Sequence, residues 1–191
     1  MNASHSRLTD WGLAHISVEK YHTMLEVGCG GGRTINKLAA ALAQANRQGK
    51  IYGIDYSEES VAASKRTNTR WIDKGLVDVR HGSVSQLPFP DSMFDLVTAV
   101  ETNFWWPNLP ADMREIFRVT QPGGRLILIA EIYKGANTIA AKLAEKYASR
   151  TGMTLLSIDE HCKLLANAGY SDVRVIEERS KGWICGLGTK P

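Results

Sequence analysis

The chain's 191 residues suit one domain, which at this length buries about 70% of its unfolded surface in a single core, and leave little room for a second. Hydrophobic residues make up 43% and charged residues 23%, ordinary globular usage, and no apolar run reaches the length of a membrane span, so no membrane partner is expected. The formal net charge of +3 comes from Lys and Arg without a run or stripe that would follow a phosphate backbone, and nucleic acid is not indicated.

Three scattered cysteines, Cys29, Cys162 and Cys185, fit a reducing compartment better than a disulfide framework. The five histidines show no ligand spacing, so no metal is expected. The first residues, M-N-A-S-H-S-R-L, lack the apolar core of a signal peptide, and the cytoplasm is the expected location.

In chain order, residues 6 to 18 predict a short helix with Leu8, Trp11 and Leu13 on its apolar side. Met24, Leu25 and Val27 then form an apolar run of the kind buried on both faces of a sheet, and from Ile35 the apolar residues fall at Leu38, Ala39 and Leu42, one face of a helix. A strand therefore feeds a helix across Gly28, Gly30, Gly31 and Gly32. Glycines there permit positive φ and let a ligand approach the main chain closely, so this turn is the first candidate site.

Lys50 to Asp55 reads as a second buried strand ending in an acid, followed by a helix running from a Ser57 cap to Lys74, with Val61, Ser64, Asn68, Trp71 and Ile72 on one face. Val77 to His81 is a third strand and Phe94 to Val100 a fourth, separated by Gly82-Ser83-Val84 and the proline-punctuated loop Leu87 to Asp91. Ligands of open parallel sheets lie beyond the carboxyl ends of strands. That rule makes Glu101-Thr102-Asn103 and the run Phe104-Trp105-Trp106-Pro107 pocket candidates, since three consecutive aromatics cannot all point into a core. Further on come a helix over Asp112 to Val119, a turn at Gln121 to Gly124, and a fifth strand over Leu126 to Ala130. Asn137 to Arg150 predicts an amphipathic helix with Ile139, Leu143 and Tyr147 at four-residue steps, the candidate lid within an insert over 135–156. Ser157 to Ala168 predicts a helix with a capping box and a Gly169 stop, and Asp172 to Glu178 and Trp183 to Thr189 a closing antiparallel pair.

The spacing E-x-G-x-G-x-G over Glu26, Gly28, Gly30 and Gly32 resembles motif I of the class I S-adenosylmethionine (SAM) dependent methyltransferases. The L-P-F-P loop before strand four resembles the small-molecule branch of that family, of the ubiquinone and menaquinone methyltransferase type, and the Pro122-Gly123-Gly124 block resembles the family's stretch before strand five. The resemblance implies an α/β, Rossmann-like, doubly wound sheet of seven strands, mostly parallel with an antiparallel C-terminal strand, in a single domain over 1–191 with an N-terminal helical segment over 1–20. It implies SAM as cofactor, S-adenosylhomocysteine (SAH) as product, and a small-molecule acceptor methylated by in-line displacement. The cofactor residues it implies are Glu26, Gly28, Cys29, Gly30, Gly32, Asp55, Tyr56, Gly82, Ser83, Val84 and Glu101, with Trp105, Trp106 and Tyr133 toward the acceptor.

Asp55 is expected on the ribose hydroxyls, because Ser57 already supplies the cap that the acid would otherwise provide. Ser83 stands where the family carries an acidic or polar residue toward adenine. Thr9 to Gly12 is either a flap over the cofactor or part of a packing helix, and no side chain declares itself a general base. Two alternatives share the glycine turn: an NAD(P)-dependent oxidoreductase, and a SAM-binding protein without catalysis. The closing antiparallel pair argues against the first.

Overall fold

The computed structural model describes residues 3–191, with side chains described from Ser6 onward and position 149 left aside; Met1 and Asn2, within the expected N-terminal segment, lie outside the described residues. Seven strands form one sheet, in chain order β1 (Thr23–Val27), β2 (Lys50–Asp55), β3 (Val77–His81), β4 (Phe94–Val100), β5 (Thr120–Ala130), β6 (Ser171–Glu178) and β7 (Trp183–Thr189). Their order across the sheet is β3-β2-β1-β4-β5-β7-β6. The pairs from β3 to β5 are parallel, and β7 runs antiparallel to both β5 and β6. After β3 the chain crosses back to lay β4 on the other side of β1, so the strand order reverses beside β1. Val27 pairs with Ile54 on one side and Ala99 on the other, which sets the carboxyl ends of β1, β2 and β4 level.

Strand alternation divides the core between two faces. Met24, Ile51, Leu96 and Ile127 face α1 (Ala3–Leu13) and α2 (Arg33–Gln44), together with Trp71. Leu25, Ile54, Val97 and Leu128 face α5 (Leu109–Val119) and α7 (Ile158–Ala168). The seam of α2 is the predicted one: Ile35, Leu38, Ala39 and Leu42 are all fully buried. The capping box of α7 is present, with the Ser157 hydroxyl accepting from the Glu160 N–H and the Glu160 carboxylate accepting from the Ser157 N–H.

Four elements differ from expectation. The first helix ends at Leu13, followed by a single 3-10 turn over Val18–Lys20. The helix expected from Ser57 to Lys74 is broken into α3 (Glu58–Thr67) and α4 (Thr69–Asp73) at Asn68, whose amide leaves the helical surface to donate to the carbonyls of Gly32 and Ser64, each at 2.9 Å. Helix α5 starts three residues early, because the Asn108 side chain caps Ala111 and Pro110 suits a first turn. Pro122-Gly123-Gly124 is not a separate turn but a bulge inside β5, where the register against β4 jumps between Phe94 and Leu96.

Candidate active site

The glycine turn is seated on β2: the N–H groups of Gly28 and Cys29 both donate to the Ile54 carbonyl, at 2.8 and 3.0 Å. Gly28 has φ of 70°, and a Cβ there would stand 2.2 Å from Thr102 Oγ1, so only glycine lets the chain leaving β4 approach this closely. The N–H of Gly30 donates to Asp55 Oδ2 at 2.8 Å. Gly32 opens α2 with φ of 78° and sits under Asn68 and Ser64, where a Cβ would meet both side chains at 2.4 Å.

Beyond the level strand ends lies a cleft of about 610 Å³, within the range of small-molecule sites. Val27, Gly28 and Ile54 form its base. Asp55, Tyr56 and Ser57 line the β2 side, Gly82, Ser83 and Val84 the β3 side, and Glu101, Thr102, Trp105, Trp106 and Pro107 the β4 side. The Asp55 carboxylate is 7% exposed and takes the Ser57 N–H at 3.0 Å on Oδ1. Each of its oxygens thus accepts one backbone N–H and keeps a second lone-pair site. Ser57 Oγ accepts from the Ser60 N–H, so Ser57 is the cap of α3 and Asp55 braces the turn before it. Ser83 Oγ accepts from the Ser85 N–H, which leaves its O–H as a donor. Trp106 is buried with its Nε1–H on Thr102 Oγ1 at 3.1 Å, whereas Trp105 is 52% exposed.

A second, smaller recess of about 30 Å³ adjoins the cleft, sharing Gly28 and Glu101 with it and adding Thr9, Glu26, Cys29, Arg33, Thr34 and Val100. Two carboxyl groups stand here. Burial pushes Glu26 up to about 8, against the hydrogen bonds from Thr98, Thr34 and the Val100 backbone that favour its charged form. Burial likewise pushes Glu101 up to about 8, offset by the Glu131 N–H that its carboxylate accepts and reinforced by the neighbouring Glu131 charge. Glu101 has φ of 57° without being a glycine, the strained kind of backbone that collects at functional sites. Thr9 reaches the recess because α1 is tied to α2 by the Asp10–Lys37 ion pair. The segment packs against the core, with Leu8 fully buried one residue from Thr9.

Of the candidate residues, Gly28, Asp55, Tyr56, Gly82, Ser83, Val84, Glu101, Trp105 and Trp106 share the cleft, and Glu26 and Cys29 the recess. Gly30 and Gly32 line neither and act through the backbone, one on Asp55 and the other beneath Asn68. Tyr133 is not brought to the tryptophans: it is 4% exposed, its hydroxyl donates to Glu177, and it borders a separate hollow with Lys134, Ser157 and Arg179. The amphipathic helix, α6 (Ile139–Thr151), contributes nothing to the cleft lining. Thr102, one of the pocket candidates, lines the cleft, while Arg33 in the recess and the Asn68 amide beneath Gly32 are placements that sequence reasoning missed. Of these two only Asn68 left a signal, a polar residue on an otherwise packed helix face.

The sheet order, with its antiparallel β7, and a ligand cleft at the strand-order reversal define the class I methyltransferase fold and set it apart from an all-parallel dinucleotide-binding sheet. The sequence model of the family described as "Methyltransferase domain" matches residues 25–128, more than half of the chain, and the chain belongs to that family of SAM-dependent methyltransferases. It is 35% identical over 121 residues to a demethylmenaquinone methyltransferase of Geobacillus kaustophilus, covering 61% of this chain and 48% of that protein. A demethylmenaquinone methyltransferase of Shouchella clausii is 28% identical over 211 residues, covering 94% and 83%. The chain spans about half the length of the first curated relatives it matches. In three dimensions it matches the geranyl diphosphate C-methyltransferase of Streptomyces coelicolor, a structure containing Mg2+, geranyl diphosphate and SAH, with a TM-score of 0.76 at 13% identity over 97% of this chain and 79% of the other.

Proposed function

We propose that residues 1–191 act as one methyltransferase domain that transfers a methyl group from SAM to a small, partly apolar acceptor in the cytoplasm. The observation that carries this reading is the continuity of the site. The Asp55 carboxylate, the glycine turn and the exposed Trp105 all border one cleft, and Glu101 joins that cleft to a recess holding carboxyl groups and Arg33. The residues fit SAM. The free lone pairs of Asp55 suit two ribose hydroxyls, the Ser83 hydroxyl and the side chains of Tyr56 and Val84 suit a purine, and Glu26, Glu101 and Arg33 suit an ammonium and a carboxylate.

SAM, when bound, supplies an activated methyl group that an electron-rich acceptor atom displaces in line. The chain's own contribution is to orient and to exclude water. Trp106 is locked by Thr102, which Gly28 in turn allows to stand close, so the β4 wall is fixed relative to the glycine turn. Trp105 and Pro107 add rigid apolar area at the mouth with little entropy to lose. The names of the curated relatives, which describe small-molecule methyltransferases, support the acceptor class.

The test supplies SAM labelled on its methyl group together with a cell extract. The label is expected in the small-molecule fraction, and Trp105→Ala is expected to lower that transfer while SAH affinity stays within a few fold. Label in protein or RNA contradicts the acceptor class, and no transfer despite SAH binding identifies a non-catalytic SAM-binding protein.

A further inference from the structure

The apolar row of α6 faces water. Ile139, Leu143 and Tyr147 are 80, 50 and 40% exposed, while the helix meets the body of the protein through Ala141, fully buried among Phe104, Tyr133 and Ile184. Residues at four-residue steps form one stripe along a helix, so these three side chains make a continuous apolar strip. The neighbouring stripe is cationic at the same step: Lys142, Lys146 and Arg150, none in an ion pair with a described residue. Glu145, the helix's one carboxylate, is turned to the Gly135 N–H. From Lys134 to Thr151 four cations face one anion, an excess equal to the +3 carried by the whole chain. The charge that looks dispersed along the sequence is therefore concentrated, net, on one projecting segment. Gly135 and Gly152 bound it, both with positive φ and with nothing within 4 Å of a Cβ position.

We propose that α6 docks on the surface of an anionic lipid bilayer, with Ile139, Leu143 and Tyr147 entering the acyl boundary and Lys142, Lys146 and Arg150 meeting headgroup phosphates. Charge complementarity selects this occupant. A second copy of the chain would set three cations against three more, and a nucleic acid offers phosphates but no apolar layer for Leu143. A bilayer surface supplies both layers in the order in which the two stripes present them, and long basic side chains reach headgroups while their stems lie along the apolar strip. No helix among the described residues is long and apolar enough to cross a membrane, and docking along the surface needs none. The expectation of no membrane partner rests on the absence of a span, which bears on crossing a bilayer and not on docking along its surface. The docking face is coupled to the cleft wall: just past α6 the Thr154 N–H donates to the Phe104 carbonyl at 2.9 Å, and the Phe104 ring packs on Trp105 at 5.7 Å. One short helix with three apolar contacts gives reversible binding, so the protein exchanges between water and membrane.

Sedimentation of the full chain with sucrose-loaded vesicles tests the proposal, comparing phosphatidylcholine alone with a phosphatidylcholine–phosphatidylglycerol mixture. Binding to the mixture, weakened by salt and absent with phosphatidylcholine alone, is expected. Reversing Lys142, Lys146 and Arg150 to Glu is expected to lower the partition by at least about 100-fold, from the usual strength of single basic residues at such surfaces. Leu143→Glu is expected to abolish it, with the melting temperature and SAH affinity of the parent retained, since these side chains touch neither core nor cleft. No binding to the mixture, or undiminished binding by Leu143→Glu, overturns the proposal. A concentration-dependent dimer that Leu143→Glu dissolves also overturns it and assigns the face to a second copy. SAH binding in every variant keeps this outcome separate from the proposed activity.

Discussion

Replacing Asp55 by Ala separates its two roles, because the structure shows one and chemistry supplies the other. The carboxylate accepts the N–H groups of Gly30 and Ser57, at 2.8 and 3.0 Å, at a position bordering the cleft. Water enters the space vacated in the Ala variant and re-satisfies those donors, so the stability loss stays at about 1–2 kcal/mol, below the ~3 kcal/mol or more that two charge-assisted bonds would otherwise be worth. That is a fall of several degrees in melting temperature for a chain of this size. Loss of the acceptor for two ribose hydroxyls costs a further ~1.5–3 kcal/mol of binding, or about 10- to 150-fold in SAH affinity. Asp55→Asn keeps one carbonyl acceptor but no charge, and is expected between the two. Equilibrium dialysis with labelled SAH, alongside a thermal melt, reads both quantities on one sample. If Asp55→Ala melts lower yet binds SAH within two-fold of the parent, the carboxylate only braces the turn and the ribose assignment fails.

The recess carboxyls predict two pH effects. Glu101 is held protonated up to about 8, so its charge, and with it the affinity for the ammonium end of SAH, is expected to increase as pH rises toward that value, by close to ten-fold per unit. Glu101→Gln is expected to flatten the profile, and a flat profile in the parent contradicts the assignment. Glu26, raised from 4.5 to about 8, acts on stability with a definite sign: its protonated form is favoured by the fold, so its contribution is complete below 4.5 and is lost as pH rises through about 8, at about 1.4 kcal/mol per unit. Denaturant titrations should show Glu26→Gln gaining on the parent as pH rises, and the opposite trend would refute the buried, protonated state. Gly28→Ala and Gly75→Ala share a positive φ, of 70 and 72°, but only the first brings a Cβ onto Thr102. Both are expected to lose about 1–2 kcal/mol for the left-handed backbone, with a further loss in Gly28→Ala alone; equal melting temperatures would show that the close approach at Thr102 is not needed.

What the sequence made legible was local. Ile35, Leu38, Ala39 and Leu42 announce their helix face by spacing, Ser157 and Glu160 their cap, and the glycines the strand-to-helix turn, because each signal lies within a few residues of its effect. Asp55 could be placed because a strand end fixes where its side chain stands. What stayed hidden depended on contacts across the fold. Asn68 breaks its helix because Gly32, distant in sequence, offers a carbonyl to a buried amide that would otherwise go unpaired. Tyr133 follows β5 as expected but finds Glu177 on β6 rather than the β4 loop. The periodicity of α6 identified an amphipathic helix but not where its stripe faces: the pattern states that a stripe exists, and Ala141 packing against Phe104 and Ile184 turns that stripe outward. Thr102 could be placed at the pocket by its strand-end position, but its close approach to the glycine turn could not, since that depends on the missing Cβ of Gly28.

The central claim is that the cleft above Gly28 and Asp55 is built for SAM, and calorimetric titration of the unmodified protein with SAH and, separately, with NAD tests it most directly. A saturable heat of one equivalent with SAH, and none with NAD at the same concentrations, is the predicted result. Saturable binding of NAD with no heat from SAH would contradict it.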